Sequence, residues 1–247
     1  MPTDNTRIRF VLVRTSHPGN IGAAARAIRT MGFQRLSLVA PQRFPHADAV
    51  AMAAGAVEEL DNAVVTSTLV EAVADCTLVL GCTARKRVVQ LEELSPRQAA
   101  ARALAASAQG SVAIVFGNER TGLENDELMS CHAAVHIPSV EDFSSLNLAQ
   151  AVQLLAYELR LATLSDTPVV DGEKREALAT VDELEHLFGH LEQMLDDIDF
   201  HKGRSPVTIM KRLRRLFLRT GLEQREVRIL RGIFDDAQRM ARLARKS

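Results

Sequence analysis

The stretch that decides the fold is RIRFVLVRTSHPGNIGAAARAIRTMG, residues 7–32. Its first part, Arg7 to Val13, alternates and then becomes wholly apolar, which is typical of a buried strand. Residues 22–31 are rich in helix formers, and the pattern stops at Gly32. A strand, a loop and a helix in this order predict the repeating unit of an α/β sheet.

Further units of the same kind follow along the chain. Short apolar runs at 36–39, 77–80, 112–116 and 133–137 alternate with helical segments at 47–54, 69–74, 96–106 and 146–164. This alternation predicts an α/β domain with a mostly parallel sheet.

In the last part of the chain, the apolar residues recur only at the spacing of an α-helix. Residues 180–197 place leucines and Phe188 at spacings of three and four, and the pattern recurs in Val207, Met210, Leu213 and Phe217 and again in residues 227–241. A polar run with Pro168 and Gly172 separates the two patterns. We therefore predict an α/β domain at 1–164 and a small all-helical domain at 165–247.

The net charge of −1 hides a strong asymmetry. Residues 1–164 carry 14 basic and 16 acidic side chains, residues 165–203 carry 3 and 11, and residues 204–247 carry 13 and 4. The last segment, at +9, has the charge that a nucleic-acid backbone attracts. Charge-rich helices are often only solvated faces, but the density of arginine favours contact with RNA; we expect these helices to extend an RNA-binding surface or to support a dimer.

Composition excludes several other classes of protein. No run of about 18 apolar residues predicts a membrane helix, and the first residues lack the build of a signal peptide. The three cysteines form no CxxC, and the histidine pairs 132/136 and 186/190 have no third ligand in range, so we expect a cytoplasmic protein without a metal. A GxSxG element is also absent.

Loops that follow the predicted strands carry the candidate functional residues, because ligands on α/β sheets bind at the carboxyl ends of strands. In residues 15–26, two glycines let the backbone approach a ligand, and Arg26 lies one turn into the helix. A plain strand–helix turn with an exposed arginine explains this loop equally well. The spacing is GxxG, which disfavours a nicotinamide-binding enzyme.

The other loops are also unusual in composition. Residues 81–87 end in three consecutive cations, which suit phosphates, and residues 116–123 set Asn-Glu-Arg between two glycines. In the last loop, Ser144 or Ser145 would serve as a helix N-cap. Asn147 fits that interpretation less well, since a buried amide needs hydrogen-bond partners.

Taken in order, three of these loops resemble the signature motifs of the SPOUT methyltransferases, in the branch that methylates ribose 2'-hydroxyls of RNA. The matching elements are Asn20-x-Gly22-x-x-x-Arg26, Phe116-Gly117-x-Glu119-x-x-Gly122-Leu123 and Ser144-Ser145-Leu146-Asn147-Leu148-Ala149. Residues 15–20, 82–85, 210–217 and 229–233 further resemble the bacterial tRNA (cytidine/uridine-2'-O-)-methyltransferases that modify anticodon-loop position 32. The likeness covers nearly the whole chain.

The resemblance implies a SPOUT-type parallel sheet with a C-terminal trefoil knot, which periodicity alone would not predict. It implies S-adenosylmethionine (SAM) in the knot, tRNA as a partner and a homodimer in which two subunits build each active site. The implied cofactor residues are Cys82, Thr83, Ala84, Gly117, Ile137, Ser144, Ser145 and Leu146.

The same resemblance implies catalytic roles for Arg26, Ser145 and Asn147. A guanidinium is a reluctant base, so we expect Arg26 to bind the ribose or its phosphate and to stabilise a developing alkoxide. Proton removal then falls to a substrate phosphate or water. The residues expected to contact RNA are Asn20, Arg26, Arg85, Arg87, Glu119, Arg120, Arg212, Arg214 and Arg215. The alternatives are a 2'-O-methyltransferase that acts on ribosomal RNA or on another tRNA position, and a non-catalytic RNA-binding relative.

Overall fold

The computed structural model describes residues 5–84, 91–140, 145–164 and 177–245. The chain divides into two compact units, Met1–Asp171 and Gly172–Ser247. The division falls within residues 165–176, which lie outside the described part of the chain. Each unit has a hydrophobic core of its own.

The first unit is built on a seven-stranded sheet in the order β3-β2-β1-β6-β4-β7-β5, and every strand pairing in it is parallel. The prediction of an α/β fold with a mostly parallel sheet is thus confirmed. The strands are β1 Ile8–Val13, β2 Arg35–Val39, β3 Val64–Thr66, β4 Cys76–Cys82, β5 Glu92–Leu94, β6 Ser111–Phe116 and β7 Ala133–Val135.

The described α-helices of this unit lie between the strands and after the last one, and a 3-10 turn, Asn5–Arg7, precedes β1. They are α1 Pro18–Thr30, α2 Ala47–Ala53, α3 Val57–Asp61, α4 Leu69–Val73, α5 Pro96–Ser107, α6 Asn125–Leu128 and α7 Leu148–Leu164. β1 is buried along its whole length, as its apolar run predicts. Phe10 on β1 stacks on Phe116 of β6 at a centroid distance of 6.3 Å and meets Phe33 edge to face at 5.6 Å.

Helix α1 begins earlier than the sequence suggests. We predicted a start at Gly22, but the helix starts at Pro18, whose fixed φ suits the first helical position. A Cβ on Gly22 would lie 1.9 Å from the carbonyl oxygen of Ala49 on α2. The glycine therefore allows two helices to cross at close range, and our expectation that it admits a ligand was wrong.

The second unit contains α8 Val181–Asp197, α9 Pro206–Thr220 and α10 Gln224–Ala244. Thr180 and Glu183 form a capping box at the start of α8, and Ser205 caps α9. The core includes Phe188, Met210 and Phe234, as predicted. Val207, which we placed on the apolar face, is 62% exposed.

The trefoil knot stays a prediction. The segment that joins β7 to α7 includes residues 141–144, which lie outside the described part of the chain.

Candidate active site

A cavity of about 190 Å³ opens where β4, β6 and β7 end. Since β6, β4 and β7 are neighbours in a parallel sheet, their carboxyl ends meet at one edge, and the loops that follow them form the walls. Seven of the eight predicted cofactor residues line this cavity: Cys82, Thr83, Ala84, Gly117, Ile137, Ser145 and Leu146. The eighth, Ser144, lies outside the described residues.

Apolar positions in the wall were not among the predicted site residues. They come from the strand ends and from the first turns of α7, and they are Phe116, Val135, Leu148 and Ala151. Their sequence signal is that of ordinary core residues, so only the sheet topology identifies them. The polar residues Asn118 and Thr121 line the cavity as well.

At Gly117, the start of the loop after β6 packs directly against the backbone of the end of the same loop, at Gly122 and Leu123. A Cβ at this position would lie 2.2 Å from both the carbonyl carbon of Gly122 and the nitrogen of Leu123. The loop therefore closes only because residue 117 has no side chain, and this part of the wall is made of backbone groups.

Cys82 contributes an uncharged thiol to the cavity wall. Burial, and then the neighbouring Cys131, raise the pKa of its thiol well above the ordinary range. The thiol is therefore protonated at neutral pH and lacks the reactivity of a thiolate.

Glu119 anchors the loop between β1 and α1 to the cavity. Its Oε2 accepts hydrogen bonds from the backbone N and the Oγ of Ser16, at 2.9 and 2.8 Å, and its Oε1 accepts from the backbone N of His17 at 3.1 Å. The Nδ2 of Asn20 donates to the same Oε1 at 2.9 Å. Burial acts to raise the pKa of Glu119, but these hydrogen bonds outweigh it and lower the pKa to about 2.

Asn20 links this anchor to Asn147. The Nδ2 of Asn147 donates to the Oδ1 of Asn20 at 3.0 Å, while the Oδ1 of Asn147 accepts from the backbone N of Ala149 at 2.9 Å. A cap at Ser144 or Ser145 was the plain structural interpretation of this segment, and a buried amide at Asn147 fitted it poorly. Instead, the Asn147 side chain is exposed and is itself the cap.

Arg26 is not among the described residues that line the cavity. Because α1 starts at Pro18, Arg26 is its ninth residue and lies about 12 Å along the helix axis, not one turn in as predicted. Its side chain is exposed, and within the described part of the chain it forms no hydrogen bond or ion pair. The structure thus brings together Asn20, Glu119 and Asn147, but leaves Arg26 outside this cavity.

The remaining predicted RNA contacts fall into three groups. Arg120 is exposed at the cavity, whereas Arg85 and Arg87 lie outside the described residues. In the helical unit, Arg212 is exposed and Arg215 is half-buried. Arg214 forms a two-pronged ion pair with Glu185, and its guanidinium carbon lies 4.4 Å from the centre of the Phe188 ring.

Two features are absent from the described residues. No helix among them combines the length and the low polarity needed to cross a lipid bilayer. Likewise, the described ranges hold no group of three or more His, Cys, Asp or Glu side chains that could bind a metal ion.

Fold and site together define a methyltransferase of the parallel α/β class. The chain belongs to the SpoU rRNA methylase family, which matches residues 7–157, and residues 182–246 match the C-terminal domain of the tRNA methyltransferase TrmJ. The family membership confirms the resemblance seen in the motifs.

Individual relatives share this organisation. The tRNA (cytidine/uridine/adenosine-2'-O-)-methyltransferase TrmJ of Pseudomonas aeruginosa is 49% identical over 96% of this chain and 95% of its own. The crystal structure of TrmJ from Z. mobilis superposes with a TM-score of 0.79 at 40% identity, covering 92% of this chain and 97% of that one. A more distant fold neighbour, the SpoU methyltransferase AviRb from Streptomyces viridochromogenes in complex with AdoMet, has a TM-score of 0.51 at 20% identity, with 65% and 62% of the two chains covered.

Proposed function

We propose that this chain transfers a methyl group from SAM to the ribose 2'-hydroxyl of cytidine or uridine at anticodon-loop position 32 of tRNA, in the cytoplasm. One observation carries the proposal. The cavity at the carboxyl ends of β4, β6 and β7 is lined by the motif residues of a family whose tRNA-modifying members match both units of this chain.

The residues of the cavity fit SAM. Gly117 leaves a surface of backbone groups that a Cβ would block, and Cys82 stays neutral, so a sulfonium methyl donor meets no competing thiolate nucleophile. Residues 82–84, Gly117, Ile137 and 144–146 would hold the cofactor. When bound, the cofactor supplies an electrophilic methyl group and leaves as S-adenosylhomocysteine, while the ribose oxygen loses its proton.

The protein's contribution to this reaction is orientation and electrostatics. Asn147 follows the cavity residues Ser145 and Leu146 and would contact the ribose, and the exposed Arg120 at the cavity would contact the RNA backbone. Proximity supplies much of the rate of such a transfer. The proton passes to a substrate phosphate or to water, as proposed from the sequence.

A second copy of the chain would complete the site. The Arg26 side chain is exposed, has no partner within the described residues and does not line its own chain's cavity. We therefore propose a homodimer in which Arg26 reaches the ribose bound by the other subunit. There it would stabilise the charge that develops on the 2'-oxygen.

The helical unit supports tRNA as the substrate. Lys211, Arg212, Arg215 and Arg219 fall within an arc of about 100° on α9, since successive residues turn by about 100° around a helix. Such a row of cations suits a line of phosphates. A ribosomal RNA target, which the family's description suggests, is the second candidate.

Methyl transfer from labelled SAM to bulk tRNA and to ribosomal RNA, followed by nucleoside mapping, tests the proposal. We expect label in 2'-O-methylcytidine or 2'-O-methyluridine at position 32. Label confined to ribosomal RNA would establish the second candidate, and SAM binding without transfer would indicate a non-catalytic relative. Label in adenosine at the same position would extend the substrate range in the way that the Pseudomonas relative's name describes.

A further inference from the structure

Three side chains from separate parts of the first unit form a hydrogen-bond chain with a single direction: Asn20 in the first turn of α1, Glu119 in the loop after β6, and Asn147 at the start of α7. Asn20 donates to Glu119 at 2.9 Å, Asn147 donates to Asn20 at 3.0 Å, and the backbone N of Ala149 donates to Asn147 at 2.9 Å. The backbone N of Gln150 lies 3.4 Å from the same Asn147 oxygen. We call Glu119, Asn20 and Asn147 the amide relay.

The chemistry of its two ends fixes the direction of the relay. An ionised carboxylate only accepts hydrogen bonds, and a backbone N–H only donates them. Asn20 must therefore turn its NH2 group toward Glu119 and its oxygen toward Asn147. Asn147 must then turn its NH2 group toward Asn20 and its oxygen toward the start of α7. Neither amide can be flipped without placing donor against donor or acceptor against acceptor.

The carboxylate of Glu119, at one end of the relay, stays ionised. Glu119 accepts from Ser16, His17 and Asn20, and no cation pairs with it among the described contacts. Its pKa of about 2, which burial opposes and the hydrogen bonds from Ser16 and Asn20 produce, keeps the group ionised at every pH at which an enzyme of this kind is assayed. The relay direction is thus constant under assay conditions.

The orientation leaves specific groups for a ligand. Each amide NH2 has two N–H donors, and the relay uses one of them in Asn20 and one in Asn147. Asn147 is exposed next to the cavity residues Ser145 and Leu146, and within the described residues no acceptor takes its second N–H. A site that presents N–H groups selects an acceptor, such as a ribose or phosphate oxygen, and favours one on which negative charge develops.

We propose that Glu119 is a positioning residue whose carboxylate, acting through Asn20, orients the Asn147 amide so that its free N–H donates to the ribose oxygen that accepts the methyl group. The inference rests on the proposed function and deepens it. Glu119 was predicted from the sequence to contact RNA. In the relay it acts one step away, and the contact with RNA is made by Asn147.

Replacement of Glu119 by Gln tests the relay with almost no change of shape. Glutamine has one carbonyl oxygen, so its NH2 group must face N–H donors either from Ser16 or from His17 and Asn20, and the anchor that orients Asn20 is weakened. We expect kcat on tRNA to fall at least about 10-fold, which is less than the roughly 100- to 1,000-fold that removal of such a donor costs, because the donor is misplaced and not lost. The SAM dissociation constant, measured by calorimetry, should stay within about 3-fold, which is less than one net hydrogen bond contributes. Asn147→Asp keeps the helix cap but has no side-chain N–H. It should likewise lower kcat on tRNA while the SAM dissociation constant stays nearly unchanged.

Glu71→Gln is the matched control. Glu71 is also a glutamate that accepts backbone hydrogen bonds without a cation, from Ser67 and Thr68 in the capping box of α4, remote from the cavity. We expect it to lower the melting temperature slightly and to leave kcat unchanged. If Glu119→Gln retained kcat, or lost kcat and SAM affinity in equal proportion, the positioning role would be overturned.

A readout without catalysis separates this inference from the proposed function. If the wild-type chain methylates no RNA, the proposed function fails. The relay is then read from the side-chain amide protons of Asn147 by NMR, with Asn147→Asp to assign them. Faster exchange of these protons with solvent in Glu119→Gln than in Glu71→Gln supports the relay, and equal exchange overturns it.

Discussion

Gly117 and Gly122 touch through their backbones: a Cβ on Gly117 would lie 2.2 Å from the carbonyl carbon of Gly122. Carbon atoms in favourable contact are about 3.5–4.0 Å apart. The loop after β6 would have to open to admit even one methyl group, and it forms the cofactor wall. We predict that Gly117→Ala lowers SAM affinity at least about 10-fold and destabilises the fold by about 1–3 kcal/mol, the usual cost of overpacking. Calorimetry with SAM and urea denaturation measure the two effects.

Gly189 provides the control for this substitution. It lies within α8, and a Cβ there would meet nothing within 4 Å. Gly189→Ala should stabilise the chain by about 0.5–1 kcal/mol, because alanine favours the helix more than glycine does. Unchanged SAM affinity in Gly117→Ala would show that the loop adapts and that the close approach has no role in the cofactor site.

His132 makes the stability of the first unit depend on pH. Burial, and then the charge of Arg102, lower the pKa of this histidine to about 4. The unfolded chain takes up a proton near pH 6.5 while the folded chain does not, so stability is full above that pH. It is lost as the pH falls from about 6.5 to 4, with a slope of at most about 1.4 kcal/mol per pH unit. Urea denaturation across this range should show the slope in the wild type and its loss in His132→Gln.

His186→Gln is the control for the removal of an imidazole, since the His186 side chain is 69% exposed. It should keep the wild-type dependence on pH. His132→Gln is expected to be less stable than the wild type at pH 7, so the comparison concerns the slope and not the absolute free energy. An identical slope in all three proteins would contradict the assignment to His132.

The cavity could be predicted from the sequence because its determinants are local. An apolar run followed by small and polar residues marks a strand end, and the parallel order of the sheet brings such ends together. Residues 82–84 and Gly117 follow this logic. Strands β3 and β5 could not be found in this way, because each has three residues and Glu92 and Glu93 are exposed.

Positions whose role depends on distant partners were misjudged. From the sequence, Gly22 looks like a residue that admits a ligand. In the fold, the backbone of Ala49, 27 positions later, packs against its α-carbon. The amide of Asn147 looks misplaced in an apolar helix until Asn20, 127 positions earlier, accepts its hydrogen bond. No local pattern encodes either contact.

Arg26 should act in the active site of the other subunit. Arg26→Ala alone is expected to lower kcat at least about 100-fold while SAM affinity stays unchanged, because the group stabilises developing charge. Mixed and refolded with Gly117→Ala in equal amounts, it should recover about a quarter of the wild-type activity, since half of the dimers are mixed and each has one intact site. No recovery above the two single variants would place Arg26 in its own chain's site.

Arg214 stabilises the helical unit through contacts with Glu185 and Phe188 of α8. Its ion pair with Glu185 and its position over the Phe188 ring leave little of its charge for a ligand. We predict that Arg214→Ala lowers the free energy of unfolding of this unit by about 1–3 kcal/mol, the combined range of charged hydrogen bonds and a cation–π contact. Helix melting followed by circular dichroism measures the loss. A stability equal to that of the wild type would free Arg214 for the role in RNA binding that its sequence pattern suggests.

Arg212 should bind the tRNA backbone, and its neighbour Arg214 is the matched comparison. Arg212 is exposed and forms no ion pair within the described residues, so it can replace a counterion on a phosphate. Arg212→Ala should weaken tRNA binding and reduce the slope of log affinity against log salt by about 0.7–0.9, the contribution of one phosphate contact. Arg214→Ala should leave that slope unchanged at temperatures where it remains folded, because its charge is already neutralised by Glu185. Filter binding of tRNA between low and physiological salt gives both slopes. Equal slopes for Arg212→Ala and the wild type would remove this face of α9 from the RNA surface.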